Sequence, residues 1–277
     1  MQCGNCGLEQ TWPRPSEAEL QGLYERYYNF WGGEQDTTYT NIRQWFLDSA
    51  LYRLWLKWDG DISFHLRRGT GRLLDIGCNE GRGLAIYARN GFQAEGLEVN
   101  ERAAAVARAR GFTVHTLPLA EFIPEKPYNV VVLSNVLEHV LDPVAMLTQI
   151  RGLLSPEGQV WISCPNAASY WHQVFGRHWI NWHVPFHLWH FSPQTLESLL
   201  ARAGFQVVNL KTCTPALWLA QSLVARVGRQ VGQANRWLRS APVIASLMLA
   251  TRTLLLFSQG HLDRQMQGDC LIVTAQG

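Results

Sequence analysis

LLDIGCNEGRGLAIYARNGFQAEGLEVN occupies residues 73–100. The apolar run of Leu73, Leu74 and Ile76 ends in a turn carrying Asp75, Gly77, Gly81 and Gly83. A helix is predicted over 82–89, and a second apolar run closes on Glu98. Strand, glycine-rich turn, helix and acid-terminated strand make a nucleotide-binding half-unit. The glycines let backbone approach a ligand closely and expose N–H groups at a helix start. Glu98 stands about 20 residues past Gly77, where an acid grips the two hydroxyls of a ribose. The plainer alternative is a turn that only packs a helix on a strand.

Gly77-Cys78-Asn79-Glu80-Gly81-Arg82-Gly83 misses the dinucleotide fingerprint, because Asn79 stands where the second glycine belongs. The stretch instead resembles the first motif of the class I S-adenosylmethionine-dependent methyltransferases, acid-x-Gly-x-Gly-x-Gly. Asp75, Gly77 and Gly81 match. Asn79 departs from the middle glycine, yet Asn tolerates a left-handed backbone. The resemblance implies S-adenosyl-L-methionine as cofactor. Asp75, Gly77, Cys78, Asn79 and Gly81 would then line its methionine and ribose side, with Glu98 and Val99 at the ribose. Leu117 and Leu119 would flank the adenine. The usual acid after the third strand is missing.

Ser134-Asn135-Val136-Leu137-Glu138-His139-Val140 ends a fourth strand, predicted over 128–134. Open α/β sheets bind ligands beyond the carboxyl ends of their strands. The run, with Asp142 and Pro143, resembles the Leu-Glu-His-Val-x-Asp-Pro signature of the ubiquinone-type O-methyltransferase branch. That resemblance places Ser134 and Asn135 beside the methionine part and His139 toward the acceptor. A histidine titrating near neutrality suits a general base for a hydroxyl acceptor. A helix-start histidine that merely packs is the alternative. Some relatives hold a metal through Glu-x-x-Glu-His; here Asn135 replaces the first Glu, so no metal is expected.

HWINWHVPFHLWHFSPQTLESLLARAGF, residues 178–205, resembles the segment after the fifth strand in the same branch. With Asn166 it would roof the acceptor site, and His187 and His190 are candidate catalytic residues. Four histidines crowd this loop without an adjacent carboxylate or Cys, and Pro185 argues against a helix joining His183 to His187. They are read as loop-ordering groups. Trp179, Trp182 and Trp189 either stack an acceptor or pack the lid.

Around these motifs the βαβ rhythm predicts a doubly wound, seven-stranded Rossmann-like parallel sheet, ending on an antiparallel strand at 270–275. Strands are also predicted at 72–77, 93–99, 112–117, 159–164 and 205–210, with helices at 101–110, from Pro143 through Leu154, and from Pro193 to Gly204. Four regions are expected: a remnant zinc-ribbon knuckle (1–15), an N-terminal helical cap (16–65), the cofactor-binding core (66–212 and 268–277) and a helical insertion (213–267). Cys3 and Cys6 are half of a tetrahedral zinc set or two unligated thiols. Ser16 and Glu19 read as a capping box, and Leu20, Leu23, Tyr24, Tyr27 and Tyr28 follow it at helical spacing. A second helical pattern runs through Ile42, Trp45, Phe46, Ser49, Leu54, Trp55 and Trp58.

The net charge of +2 over 277 residues implies no polyelectrolyte partner, and nucleic acid is not expected. Residues 198–262 nevertheless contain no Asp or Glu and seven Arg or Lys. That asymmetry points to an anionic surface or ligand. An amphipathic helix is expected over 216–238 and an apolar one over 243–257. These either lie on a membrane surface or pack on the fold or on a second subunit, as in a homodimer. A run of fifteen residues with a central Arg is too short to span a bilayer. No secretory signal opens the chain, and a cytoplasmic protein is expected, with the inner face of the membrane as its docking surface. The function implied is methylation, most simply O-methylation, of a small or lipid-linked acceptor. The rivals are an NAD-dependent oxidoreductase and a non-catalytic scaffold on the same fold.

Overall fold

The computed structural model describes residues 1–27, 45–47, 49–230 and 240–277. Ile42, Tyr28 and the end of the expected 216–238 helix lie outside the described residues.

The chain opens with a hairpin. Met1 and Gln10 exchange backbone hydrogen bonds, and the Cys3 N–H donates to the Leu8 carbonyl at 2.8 Å. Cys3 and Cys6 are exposed in its turn. Strand β1 (Glu9–Gln10) is followed by helices α1 (Glu17–Tyr27) and α2 (Ala50–Asp59). The Ser16 box closes as expected, with the Ser16 N–H donating to Glu19 Oε2 at 2.8 Å. Then come β2 (Arg72–Ile76), α3 (Arg82–Arg89), β3 (Gln93–Leu97), α4 (Glu101–Ala109), β4 (Val114–His115), β5 (Tyr128–Ser134), α5 (Pro143–Leu153) and β6 (Leu154–Pro165). Strand β6 starts five residues earlier than the turn residues 155–158 suggest, because Leu154 pairs with Tyr128 before a register shift. After α6 (Tyr170–Phe175), β7 (Trp189–His190), α7 (Pro193–Arg202) and β8 (Gln206–Cys213) come α8 (Ala216–Gln230), α9 (Ala241–Leu255), α10 (Gln259–Arg264) and β9 (Cys270–Gln276).

Seven strands form one sheet in the order β4-β3-β2-β5-β6-β9-β8, and β9 runs antiparallel to both of its neighbours. Alternation along the strands explains why helices cover both faces. Leu74, Val131, Leu133, Val160, Ile162, Leu271 and Val273 meet Leu147 and Ile150 of α5 and Leu196 and Leu200 of α7. The intervening Leu73, Val130, Val132, Trp161 and Ile272 meet Phe64 and Tyr87. Each such burial contributes about 1.5–3 kcal/mol. The strand order reverses between β2 and β5, the place where open α/β sheets bind ligands beyond the carboxyl ends of their strands.

β1 pairs with β7, so the N-terminal hairpin is docked on the loop that precedes α7. The insertion is docked as well. Asp59 at the end of α2 accepts the Ala216 N–H at 2.9 Å and lies 3.6 Å from the Arg252 guanidinium. Arg252 is 3% exposed, so the central Arg of the apolar segment is buried and paired, not presented to an anionic surface as a membrane-lying helix would present it. Among the described residues, no helix is long and apolar enough to cross a membrane.

Candidate functional site

The turn after β2 takes its shape from three left-handed residues: Gly77 (φ 73°), Asn79 (φ 51°) and Gly81 (φ 73°). Asn79 thus adopts the conformation that a glycine would supply. A Cβ on Gly77 would stand 2.9 Å from Val136, so the ends of β2 and β5 nearly touch there. The Cys78 thiol packs beneath Gly96 in the core, which leaves only its backbone for a ligand. Leu117 and Leu119 are half-buried at the rim, and Val99 is exposed.

Glu98 accepts the Asn79 N–H at 2.9 Å through Oε2 and the Asn100 N–H at 2.8 Å through Oε1. The carboxylate is therefore fixed, with lone pairs left for a diol. Asp75 is buried at the base of the same turn. Burial, and then the neighbouring Glu98, lift its carboxyl to about 7. The side-chain oxygen of Asn135 (φ 54°) is buried without a hydrogen-bond partner. Two mutually repelling carboxyls and an orphaned acceptor suit a nucleoside that carries a diol and positive charge. Ser134 points elsewhere, donating to the Ile62 carbonyl at 3.3 Å.

A second group lies past β5. Glu138, His139 and His187 offer ligand-type atoms all within 4.8 Å of one another. Glu138 is 1% exposed, and neither carboxylate oxygen has a hydrogen-bond partner. His187 Nε2 lies 4.0 Å from its Oε1. This contact is between neutral groups: burial pushes Glu138 up to about 8 and holds His187 well below its usual value. Burial, and then His183, also push His139 down to about 4, so it does not titrate near neutrality as the sequence suggested. His139 Nδ1 stands 3.0 Å from the Tyr24 hydroxyl and 3.1 Å from the Phe186 carbonyl.

The structure corrects the reading of the histidine loop. A turn brings the rings of His183 and His187 within 4.8 Å, with the His187 N–H donating to the His183 carbonyl, although Pro185 lies between them. A carboxylate does accompany them; Glu138 arrives from a segment about fifty residues earlier, which local spacing cannot reveal. His190 does not join this cluster. Its Nε2 lies 3.3 Å from Thr11 Oγ1 and its ring packs on Trp182, so it anchors the N-terminal hairpin. Asn166, fully buried, donates to the carbonyls of Met266 and Gly268 and does not line the roof.

The tryptophans are lid packing. The Trp179 indole N–H donates to Asp269, that of Trp182 to the Gly176 carbonyl and that of Trp189 to the Val140 carbonyl. Trp179 is buried with Leu219 and Leu255 of the insertion. Tyr24 and Asp269 are the site-adjacent groups that sequence reasoning missed. The helical spacing around Tyr24 was visible, but not its destination.

The family model described as a methyltransferase domain matches residues 43–210. A relative in Mycolicibacterium smegmatis, described as a probable S-adenosylmethionine-dependent methyltransferase, is 31% identical over 85% of this chain and 82% of its own length. The ubiquinone biosynthesis O-methyltransferase of Cereibacter sphaeroides is 31% identical over 62% of this chain and 76% of its own. The structure of the Burkholderia thailandensis 1,6-didemethyltoxoflavin-N1-methyltransferase, with 1,6-didemethyltoxoflavin and S-adenosylhomocysteine bound, covers 99% of this chain and 96% of its own. Its TM-score is 0.53 at 16% identity, a likeness of fold.

Proposed function

This chain belongs to the class I S-adenosylmethionine-dependent methyltransferases, and on that premise we propose that it methylates an oxygen of a small or lipid-linked acceptor, with His139 receiving the acceptor's proton. Bound S-adenosylmethionine supplies an electrophilic methyl group on a sulfonium. The Gly77–Gly81 turn would hold the cofactor's methionine and ribose side through its own backbone, Glu98 its diol, and Asp75 with Asn135 its charged end. Alignment of the acceptor oxygen with the methyl carbon does most of the catalytic work. The observation that supports the reading is the Glu138–His139–His187 cluster past the end of β5. With His139 Nδ1 donating to the Phe186 carbonyl, the lone pair of the neutral ring sits on Nε2, the atom that would take the acceptor's proton. Glu138, protonated at neutral pH, would donate to the acceptor. The C. sphaeroides relative's name supports oxygen as the atom methylated.

A second reading has support in the same cluster. A divalent cation on Glu138, His139 and His187 would ionise a hydroxyl acceptor directly. The exposed Leu249 and Leu254 of α9, with Leu256 and Phe257 just after it, support contact with a lipid surface; a second copy is the other occupant of that face. The division into knuckle, cap, core and insertion belongs to the same reading.

The test is methyl transfer from methyl-labelled S-adenosylmethionine to polar and lipid fractions of the source cells. The product's linkage would be assigned by mass spectrometry, with metal analysis of the purified protein alongside. Label found only on nitrogen or carbon would overturn the oxygen assignment.

A further inference from the structure

Asp269 lies fully buried just before β9. Its Oδ1 accepts Ser169 Oγ at 2.7 Å and Trp179 Nε1 at 2.8 Å, and its Oδ2 accepts Asn181 Nδ2 at 3.3 Å. Its N–H donates to Thr214 Oγ1 at 3.3 Å, and its carbonyl accepts the Asn166 N–H at 2.9 Å. One carboxylate thus gathers three side chains from the loop over the pocket, and all three are neutral donors. A buried carboxylate held this way stabilises a single arrangement of its partners, because any other leaves it unpaired.

Asn181 leads back to the pocket. Its backbone carbonyl lies 2.8 Å from His187 Nδ1. A carbonyl can only accept, so Nδ1 carries the proton in the neutral ring and the lone pair sits on Nε2. Nε2 is the atom that faces Glu138. The carboxylate fixes Asn181, Asn181 fixes the tautomer, and the tautomer decides what the pocket offers an acceptor.

We propose that Asp269 is a positioning residue for methyl transfer, holding Asn181 so that His187 presents its Nε2 lone pair to the acceptor pocket. The inference rests on the pocket assignment above. It also gives the insertion a link to that pocket, because the Trp179 that Asp269 holds packs against Leu219 and Leu255.

The test reads the His187 tautomer by nitrogen NMR on the histidine-labelled full chain, with His187→Gln to assign the signal. The wild type should show the proton on Nδ1. Asp269→Asn sets an amide donor against the Asn181 amide, and His187 should then become a mixture of tautomers. Turnover on the acceptor that the labelling experiment identifies should fall on the order of 10²-fold, the penalty of a small misplacement. Calorimetric affinity for S-adenosylhomocysteine should change less than about twofold, since the cofactor turn is untouched. Asn181→Ala keeps the Asp269 bonds to Ser169 and Trp179 and should shift the tautomer in the same way. It decides the matter if Asp269→Asn does not fold. An unchanged tautomer in every folded variant overturns the proposal. The tautomer is read without any acceptor, so a wrong acceptor chemistry leaves this test intact.

Discussion

The Tyr24 hydroxyl lies 3.0 Å from Nδ1 of His139, joining the N-terminal helix to the turn after β5. Tyr24 also meets the Phe186 ring edge-on at 5.4 Å, so cap, strand end and histidine loop converge on one imidazole. Loss of a general base costs typically 10²–10⁴-fold. His139→Ala should therefore lower turnover about 10²-fold or more while sparing S-adenosylhomocysteine affinity. Tyr24→Phe, which keeps the ring packing, should cost about tenfold, the weight of one oriented hydrogen bond. A His139→Ala enzyme that keeps more than about half of its turnover sinks the base assignment.

The low pKa of His139 gives that assignment a pH signature. A base must be neutral to act, and burial holds this ring neutral above about 4. The acid limb of kcat/KM for the acceptor, measured at saturating S-adenosylmethionine, should therefore lie well below the usual histidine range, with no fall between about pH 8 and 6. An acid limb near 6.5 would show an exposed histidine acting in its place.

Cofactor binding should depend on pH in the opposite sense. Asp75 holds its proton up to about 7 in the free protein. A cationic ligand favours the ionised form, so below that value binding must first expel the proton. Calorimetry should show S-adenosylmethionine, which carries the sulfonium charge, binding more tightly at pH 8 than at pH 6, and Asp75→Asn should flatten the trend. Glu98→Ala removes two charge-assisted bonds to the diol and should weaken binding about 10- to 100-fold. Unchanged affinity in Glu98→Ala would move the sugar elsewhere.

What could be read ahead of the structure was local. Asn79 stood out because few residues accept a positive φ, and the structure gives it φ 51°. β5 was visible to the residue because a strand buried on both faces is a continuous apolar run. The Glu138–His187 contact was not legible. It joins segments about fifty residues apart through a turn whose histidine spacing resembles a broken helix. The place of Arg252, on a membrane surface or packed on the fold, stayed open for a related reason. A charge inside an apolar helix suggests an interface until its partner is known, and Asp59 lies nearly two hundred residues earlier.

The Arg252–Asp59 pair yields a stability prediction. Both groups are buried, and burial alone raises the Asp59 carboxyl against the pull of the Ala216 N–H and the guanidinium. Removing one member strands the other's charge, which costs about 3–5 kcal/mol, whereas replacing both with apolar or neutral groups is often tolerated. Arg252→Met should thus destabilise the protein strongly in denaturant titration, and adding Asp59→Asn should recover much of the loss. The Ala216 N–H would keep the amide oxygen as its acceptor, so the start of α8 stays capped in the double variant. Equal stabilities for the single and double variants would mean that the two charges do not sense each other. The insertion would then be held to the cap by apolar packing alone.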